Sequence, residues 1–216
     1  MNDYSHSRER MVTEQMVSRG ISDTRILDAF RSVPRHLFVP KGSVSDGYGD
    51  FPISIGSGQT ISQPYVVAAM TEALEVGPDH VVLEIGTGSG YQAAILSCLA
   101  AHVDSIERVE VLHRRARGLL GELGYANVTC HRGDGYVGLS PAVAFDRIVV
   151  TAAAPVIPEP LVGQLADSGR LVMPLGPPHG YQELILVTKE RGKVRTRSFM
   201  AVRFVPMTGK VQSASQ

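Results

Sequence analysis

The stretch "VVLEIGTGSGYQAAIL", residues 81–96, passes from strand to helix across a loop of glycines. Residues 81–85 form an apolar run broken only by Glu84. The run is too short for a helical repeat and rich in β-branched side chains, so it reads as a buried strand. From Tyr91 the pattern turns helical. Between the two, Gly86, Gly88 and Gly90 let the backbone turn tightly and approach a ligand without a Cβ in the way. The spacing is G-x-G-x-G. A dinucleotide fingerprint would be G-x-G-x-x-G, and a phosphate loop would end in Gly-Lys-Ser/Thr. No lysine is present here, and nothing in the loop is basic enough to favour a phosphate group.

The same alternation continues toward the C-terminus. "VDSIE" (103–107) is a second strand, 109–123 a helix ended by Gly124, "NVTCH" (127–131) a third strand and "FDRIVVTA" (145–152) a fourth. "PEPLVGQLAD" (158–167) reads as a helix with Pro158 near its start. "GRLVMPL" (169–175) is a fifth strand, followed by "QELILVTKE" (182–190) and "VRTRSFMAVRFVPM" (194–207). Strands alternating with helices imply right-handed crossovers and a parallel sheet. The last two strands have no helix between them and should pair as an antiparallel hairpin through a turn near Arg191–Gly192.

Toward the N-terminus, residues 5–19 are polar and helix-compatible. A helix follows Asp23, a good N-cap, with Ile26, Leu27, Phe30 and Val33 at helical spacing until Pro34 stops it. Residues 34–62 read as loop with short extended pieces. A further helix spans about 63–75, with Val66, Val67, Met70 and Leu74 on one face. The expected architecture is α/β: a mostly parallel, doubly wound sheet with an antiparallel C-terminal hairpin and extra N-terminal helices. It forms a single domain over 1–216, divided into helices and loop (1–78), sheet core (79–190), C-terminal strand (191–209) and a disordered tail (210–216).

Composition narrows the function. Lys and Arg number 21, as do Asp and Glu, so the formal net charge is zero. Nucleic-acid binders usually carry a basic excess, and none is expected as a partner. Cys98 and Cys130 lie in apolar periodic stretches and read as buried free thiols, without the spacing of a disulfide framework or a zinc site. No segment approaches the roughly 18 apolar residues of a membrane span, and the first residues form no secretory signal. A cytoplasmic monomer without membrane contact is the expectation, with no metal.

In an open parallel sheet the ligand lies beyond the carboxyl ends of the strands. The glycine loop ends the first strand. Glu107 ends the second, where an acid accepts hydrogen bonds from ribose hydroxyls and disfavours a 2′-phosphate. Asp134, in "GDGY" after the third strand, is placed to accept from an adenine amino group. Taken singly, the glycines can form a plain turn, Glu107 a helix start and Asp134 a turn. Together, at three successive strand ends, they fit a nucleoside without phosphates, most simply S-adenosylmethionine.

"EIGTGSGYQAAIL" (84–96) also resembles motif I of the class I S-adenosylmethionine-dependent methyltransferases. "GSGQTISQPYVVAAMTEAL" (56–74), "RSVPRHLFVP" (31–40), "FDRIVVTAAAPVIPEPLVGQL" (145–165) and "VRFVPMTG" (202–209) together resemble the protein-L-isoaspartate O-methyltransferase family. That resemblance implies a Rossmann-like class I methyltransferase fold. It also implies methyl transfer to the carboxylate of L-isoaspartyl residues in aged peptides and proteins, whose ester then collapses to a succinimide and hydrolyses partly to aspartate. Carried over residue by residue, Glu84, Gly86, Thr87, Gly88, Ser89, Gly90, Glu107, Asp134 and Gly135 bind the cofactor. Thr60, Ile61 and Ser62 line the acceptor site, Ser62 as the active-site residue, and Phe204 and Val205 flank the peptide. Two departures from the family pattern are Ser57, where histidine is usual, and extra residues in "GPPHGYQEL" (176–184).

The chemistry suits these residue types. A carboxylate is already ionised at neutral pH, so its methylation needs no general base. Neutral donors orient it without quenching its nucleophilicity, which a bound cation would do. Ser62 also reads as a helix N-cap ahead of Gln63-Pro64, and a helix N-terminus is itself an anion site. A hydrolase is disfavoured by the absence of a G-x-S-x-G elbow. The alternatives are a methyltransferase for RNA or a small molecule, and an NAD-dependent oxidoreductase. "TAAAP" lacks the amide or acid that would hold an exocyclic amine, and the glycine spacing opposes NAD.

Overall fold

The computed structural model describes residues 4–178 and 180–210, so the expected tail beyond Lys210 and the structure of His179 lie outside the described residues. The chain starts with α1 (Ser5–Arg10), which runs on through a π turn (Met11–Met16) and a 3-10 turn (Val17–Arg19). Met11, Val12 and Met16 are buried. In α2 (Thr24–Ser32) the Asp23 carboxylate accepts the Arg25 N–H at 2.9 Å, as the capping pattern predicts, and Ile26, Leu27, Ala29 and Phe30 face inward. Val33 is extended because Pro34 follows it.

The loop region contains two 3-10 turns, Arg35–Leu37 and Lys41–Asp46, and a small hairpin of β1 (Ile53–Gly56) and β2 (Gln59–Ile61). Ser57 and Gly58 turn it with φ of 54° and 70°. Then follow α3 (Pro64–Leu74), β3 (Val81–Ile85), α4 (Tyr91–Ser97), β4 (His102–Glu107), α5 (Glu110–Glu122), β5 (Val128–Arg132), β6 (Phe145–Val150), α6 (Glu159–Gly163), β7 (Leu165–Leu175), β8 (Gln182–Glu190) and β9 (Lys193–Val202).

The main sheet has the order β5-β4-β3-β6-β7-β8-β9, with all pairs parallel except β7–β8 and β8–β9. Only β8 therefore runs against the rest. The final hairpin turns at Arg191 and Gly192, both with positive φ, where the sequence places it. Alternation along the strands splits the core. Val82, Val103, Val149, Val172, Leu184 and Leu186 face a layer that includes Met11, Phe30, Val67 and Ile95. Leu83, Ile85, Ile106, Ile148, Leu171 and Val187 face the other side with Leu161 of α6. No helix among the described residues is long and apolar enough to cross a membrane.

Two expectations need correction. The helix expected over 158–167 stops at Gly163, and β7 begins at Leu165. The Gln164 carbonyl accepts from the Phe145 N–H at 2.8 Å and Leu165 pairs with Phe145, so strand pairing takes over the apolar register that suggested more helix. Cys98 is exposed rather than buried, since it caps the end of α4, and Cys130 is half-buried. Both are free thiols.

Candidate active site

The chain passes from β3 outward to β4 on one side and returns to β6 on the other, so the switch point lies between β3 and β6. A cleft opens there, enclosing about 590 Å³ with its solvent-facing part included. Its walls are the ends of three strands: Ile85 and Gly86 after β3, Ile106 and Glu107 on β4, and Thr151 and Ala152 after β6. Gly88 and Gly135 complete the floor, and Val205 and Met207 cover it.

The glycine loop has the form its sequence requires. Gly86, Gly88 and Gly90 have φ of 97°, 53° and 88°, a region that side chains rarely enter. A Cβ on Gly86 would lie 2.4 Å from Thr151 Oγ1. That hydroxyl donates to the carbonyls of Ile85 (3.1 Å) and Gly86 (2.8 Å), tying the loop to the end of β6. Gly135 is forced by proximity instead: its Cβ would meet Ile85 Cγ2 at 2.2 Å. Ser89 Oγ accepts from the Tyr91 N–H and starts α4.

The three acids take different places. Glu107 is buried at the cleft wall, with Oε2 accepting from the Gly88 N–H (2.8 Å) and Oε1 from the Val109 N–H (2.7 Å). It thus both fixes the glycine loop and holds the start of α5. Glu84 is fully buried and lines no part of the cleft. It accepts from Ser105 Oγ, which is 2.6 Å from Thr87 Oγ1, so it reaches the loop through two hydroxyls. Burial pushes its pKa up to about 8, partly opposed by the Ser105 hydrogen bond. Asp134 accepts from the Tyr136 N–H (3.0 Å) through Oδ1 and from the Lys210 N–H (2.9 Å) through Oδ2. Its carboxylate clasps the C-terminal segment; Gly135 beside it forms the cleft wall.

A second cavity adjoins the first. Thr60, Ile61 and Ser62 line it, with Met70, Thr87, Ser89, Tyr91 and Gln92. Thr60, Gly86, Gly88 and Thr151 line both cavities. Ser62 is half-buried, and the expectation that it caps α3 is wrong. The N-cap is Gln63, with no side-chain cap bond, and Pro64 takes the first helical position, where a missing N–H breaks no helical bond. No hydrogen bond to Ser62 Oγ occurs among the described residues, while the Ser62 carbonyl accepts from Arg35 Nη2 at 2.7 Å.

The C-terminal segment reaches the site beside the loop after β6. The Val205 carbonyl accepts from Ala153, and Met207 N–H donates to the Ala153 carbonyl at 2.7 Å. This explains why "TAAAP" and "RFVPM" occur in one chain: they pair. Val205 lines the cleft, whereas Phe204 packs against the core and is held by Gln182 at 2.7 Å. Thr151, Gln59 and Arg35 were not singled out by the sequence. Thr151 sits at a strand's carboxyl end, a position that could have marked it.

The site has relatives. The family model described as Protein-L-isoaspartate(D-aspartate) O-methyltransferase matches residues 6–212. Protein-L-isoaspartate O-methyltransferase 2 of Shewanella sediminis is 53% identical over 206 residues, 95% of this chain and 84% of that protein. The protein-L-isoaspartate O-methyltransferase of Opitutus terrae is 52% identical over 94% of this chain and 88% of its own. A solved protein-L-isoaspartate O-methyltransferase superposes with a TM-score of 0.85 at 29% identity, covering 94% of this chain and 67% of that one. A Plasmodium falciparum beta-aspartate methyltransferase, solved in complex with S-adenosyl-L-homocysteine, shares the fold with a TM-score of 0.80 at 24% identity, covering 93% and 98%.

Proposed function

Because this chain belongs to the protein-L-isoaspartate O-methyltransferase family, methylating the carboxylate of L-isoaspartyl residues, we propose that the cleft at the β3–β6 switch point holds S-adenosylmethionine and that Thr60, Ile61 and Ser62 receive the acceptor. The observation that carries this assignment is the shared lining: Thr60, Gly86, Gly88 and Thr151 border both cavities, so the two adjoin there and a donor in one can face a carboxylate in the other.

The residues present fit the cofactor. Gly86, Gly88 and Gly135 line the cleft without side chains, and Glu107 offers carboxylate lone pairs to hydroxyl donors beyond its two backbone partners. When bound, S-adenosylmethionine supplies a methyl group on a sulfonium, already activated for displacement. The chain has no proton to remove from an ionised carboxylate. Its work is placement and exclusion of water. The hydroxyl of Ser62, without a hydrogen-bond partner among the described residues, donates to one acceptor oxygen and leaves the other free to attack. The segment Val205–Met207, held to Ala153, lines the cleft, and Val205 is placed to flank the peptide. The neighbouring backbone nitrogen then attacks the carbonyl of the methyl ester and loses its proton, methanol leaves, and the resulting succinimide takes up water and hydrolyses in part to aspartate.

The test compares two peptides identical except at one residue, L-isoaspartate or L-aspartate, with a radiolabelled methyl donor. They differ by one methylene moved between backbone and side chain, so discrimination reports carboxylate placement. Only the isoaspartyl peptide should be labelled. Equal labelling of the two, or labelling of RNA and neither peptide, overturns the reading.

A further inference from the structure

Arg35 is wholly buried, and no carboxylate among the described residues partners it. Its Nε donates to the Gly47 carbonyl at 2.9 Å and its Nη2 to the Ser62 carbonyl at 2.7 Å. Its guanidinium lies over the Tyr91 ring, 4.7 Å from the centroid, and Tyr91 lines the acceptor cavity. Arg35 Nη1 and the Tyr91 hydroxyl are both buried without a hydrogen-bond partner. Desolvation pulls the guanidinium down to about 10, which leaves it charged at neutral pH.

A buried cation without a counter-ion is costly. What the charge does have is a location: it sits one peptide unit behind Ser62, in a site whose substrate arrives as an anion. From there it polarises the Ser62–Gln63 peptide and strengthens its N–H as a donor. It also attracts a carboxylate bound at Ser62 through an intervening peptide rather than by an ion pair. The oxygen lone pairs stay free for methyl transfer, which a direct guanidinium fork would not allow.

We propose that Arg35 is a positioning and charge-selecting residue of the acceptor site, fixing the Ser62–Gln63 peptide and supplying the field that prefers an anionic acceptor to its neutral amide. This rests on the assignment of Thr60–Ser62 as the acceptor loop. Tyr91 shields the guanidinium from solvent and so keeps that field undamped.

The experiment measures, in wild type, Arg35→Gln and Arg35→Lys, the affinity for an isoaspartyl peptide and for the same peptide carrying the neutral isoasparaginyl side chain, both with S-adenosylhomocysteine present. Turnover with the isoaspartyl peptide and melting temperature are read on the same samples. Wild type should prefer the carboxylate by roughly 10- to 50-fold, the size of one unit charge acting over about 7–12 Å at an effective dielectric near 20. Arg35→Gln should bring that preference close to unity while binding the neutral peptide within about threefold of wild type. Arg35→Lys should restore the preference but keep turnover about 10-fold low, because an ammonium cannot span both carbonyls as the planar fork does. A general packing defect would weaken both peptides alike and would not be rescued by lysine. A wild type without the preference, a folded Arg35→Gln that keeps both preference and turnover, or an Arg35→Lys that loses preference or keeps full turnover overturns the proposal. If Arg35→Gln does not fold, Arg35→Lys decides alone on those criteria. Ser62→Ala run alongside separates the two levels: wild-type turnover there removes the acceptor-loop assignment, whereas slowed Ser62→Ala with unaltered Arg35 variants removes only this proposal.

Discussion

Glu107 Oε2 accepts the Gly88 N–H at 2.8 Å, so the acid that ends β4 holds the glycine loop that ends β3. The same carboxylate anchors the start of α5 through Val109 at 2.7 Å. Its geometry is set before any ligand arrives, which spares cofactor binding the cost of ordering it. Glu107→Ala should weaken S-adenosylmethionine binding by about 1.5–3 kcal/mol, the range for a hydrogen bond to a charged group. Titration calorimetry reads this directly, and unchanged affinity would exclude Glu107 from the cofactor site.

Asp134 joins two distant segments, capping the turn at Gly135–Val137 and accepting from Lys210. Removing the carboxylate frees the end of the segment that covers the cleft. Asp134→Ala should lose about 1 kcal/mol of stability as a lost cap. Trypsin should also cut at Lys210 faster than in the wild type, because that backbone is no longer held. Cleavage at the wild-type rate would show that the clasp contributes nothing.

The buried Glu84 gives stability a pH dependence of known sign. Its folded pKa, about 8, lies above the ordinary 4.5, so the folded chain holds a proton that the unfolded chain has released. Its contribution is complete below pH 4.5 and is lost as pH rises toward and through 8. Glu84→Gln keeps an acceptor for Ser105 and cannot ionise. Between about pH 6 and pH 9 the wild type should lose melting temperature relative to Glu84→Gln. Parallel curves for the two proteins would remove Glu84 as the source.

Much of this was legible because the signals were local. The apolar runs of β3, β4 and β6 and the glycines after β3 specify a sheet and its ligand end in few residues. Arg191–Gly192 announces the last hairpin through its turn chemistry. What stayed hidden depended on contacts between distant segments. Leu161 and Leu165 share a helical spacing, and only the pairing of Leu165 with Phe145 makes the second a strand residue. That Asp134 also holds the C-terminal segment shows only once Lys210 is placed against it. Arg35 lies within "RSVPRHLFVP", a stretch that marks the family but gives the arginine itself no role. Its importance comes from Gly47, Ser62 and Tyr91 converging on one buried guanidinium.

Ser62 tests the acceptor site most sharply, because its hydroxyl does nothing else. It caps no helix and makes no hydrogen bond within the described residues, yet it lines the cavity that shares a wall with the cofactor cleft. Ser62→Ala should therefore cost little stability, within about 0.5 kcal/mol as for a substitution without a structural partner. Turnover should fall. An orienting hydrogen bond to a charged acceptor, at about 1.5–3 kcal/mol, corresponds to a rate loss of roughly 10- to 150-fold. Cofactor affinity should hold, since Ser62 lines no part of the cleft proposed for the cofactor. Steady-state rates at saturating cofactor, with a thermal melt on the same sample, separate the possible roles. Wild-type turnover would leave Ser62 without function. Complete loss, with a covalent adduct on the wild-type serine, would make it a nucleophile. A partial loss at unchanged melting temperature is the outcome expected of a residue that aims the carboxylate and takes no proton from it.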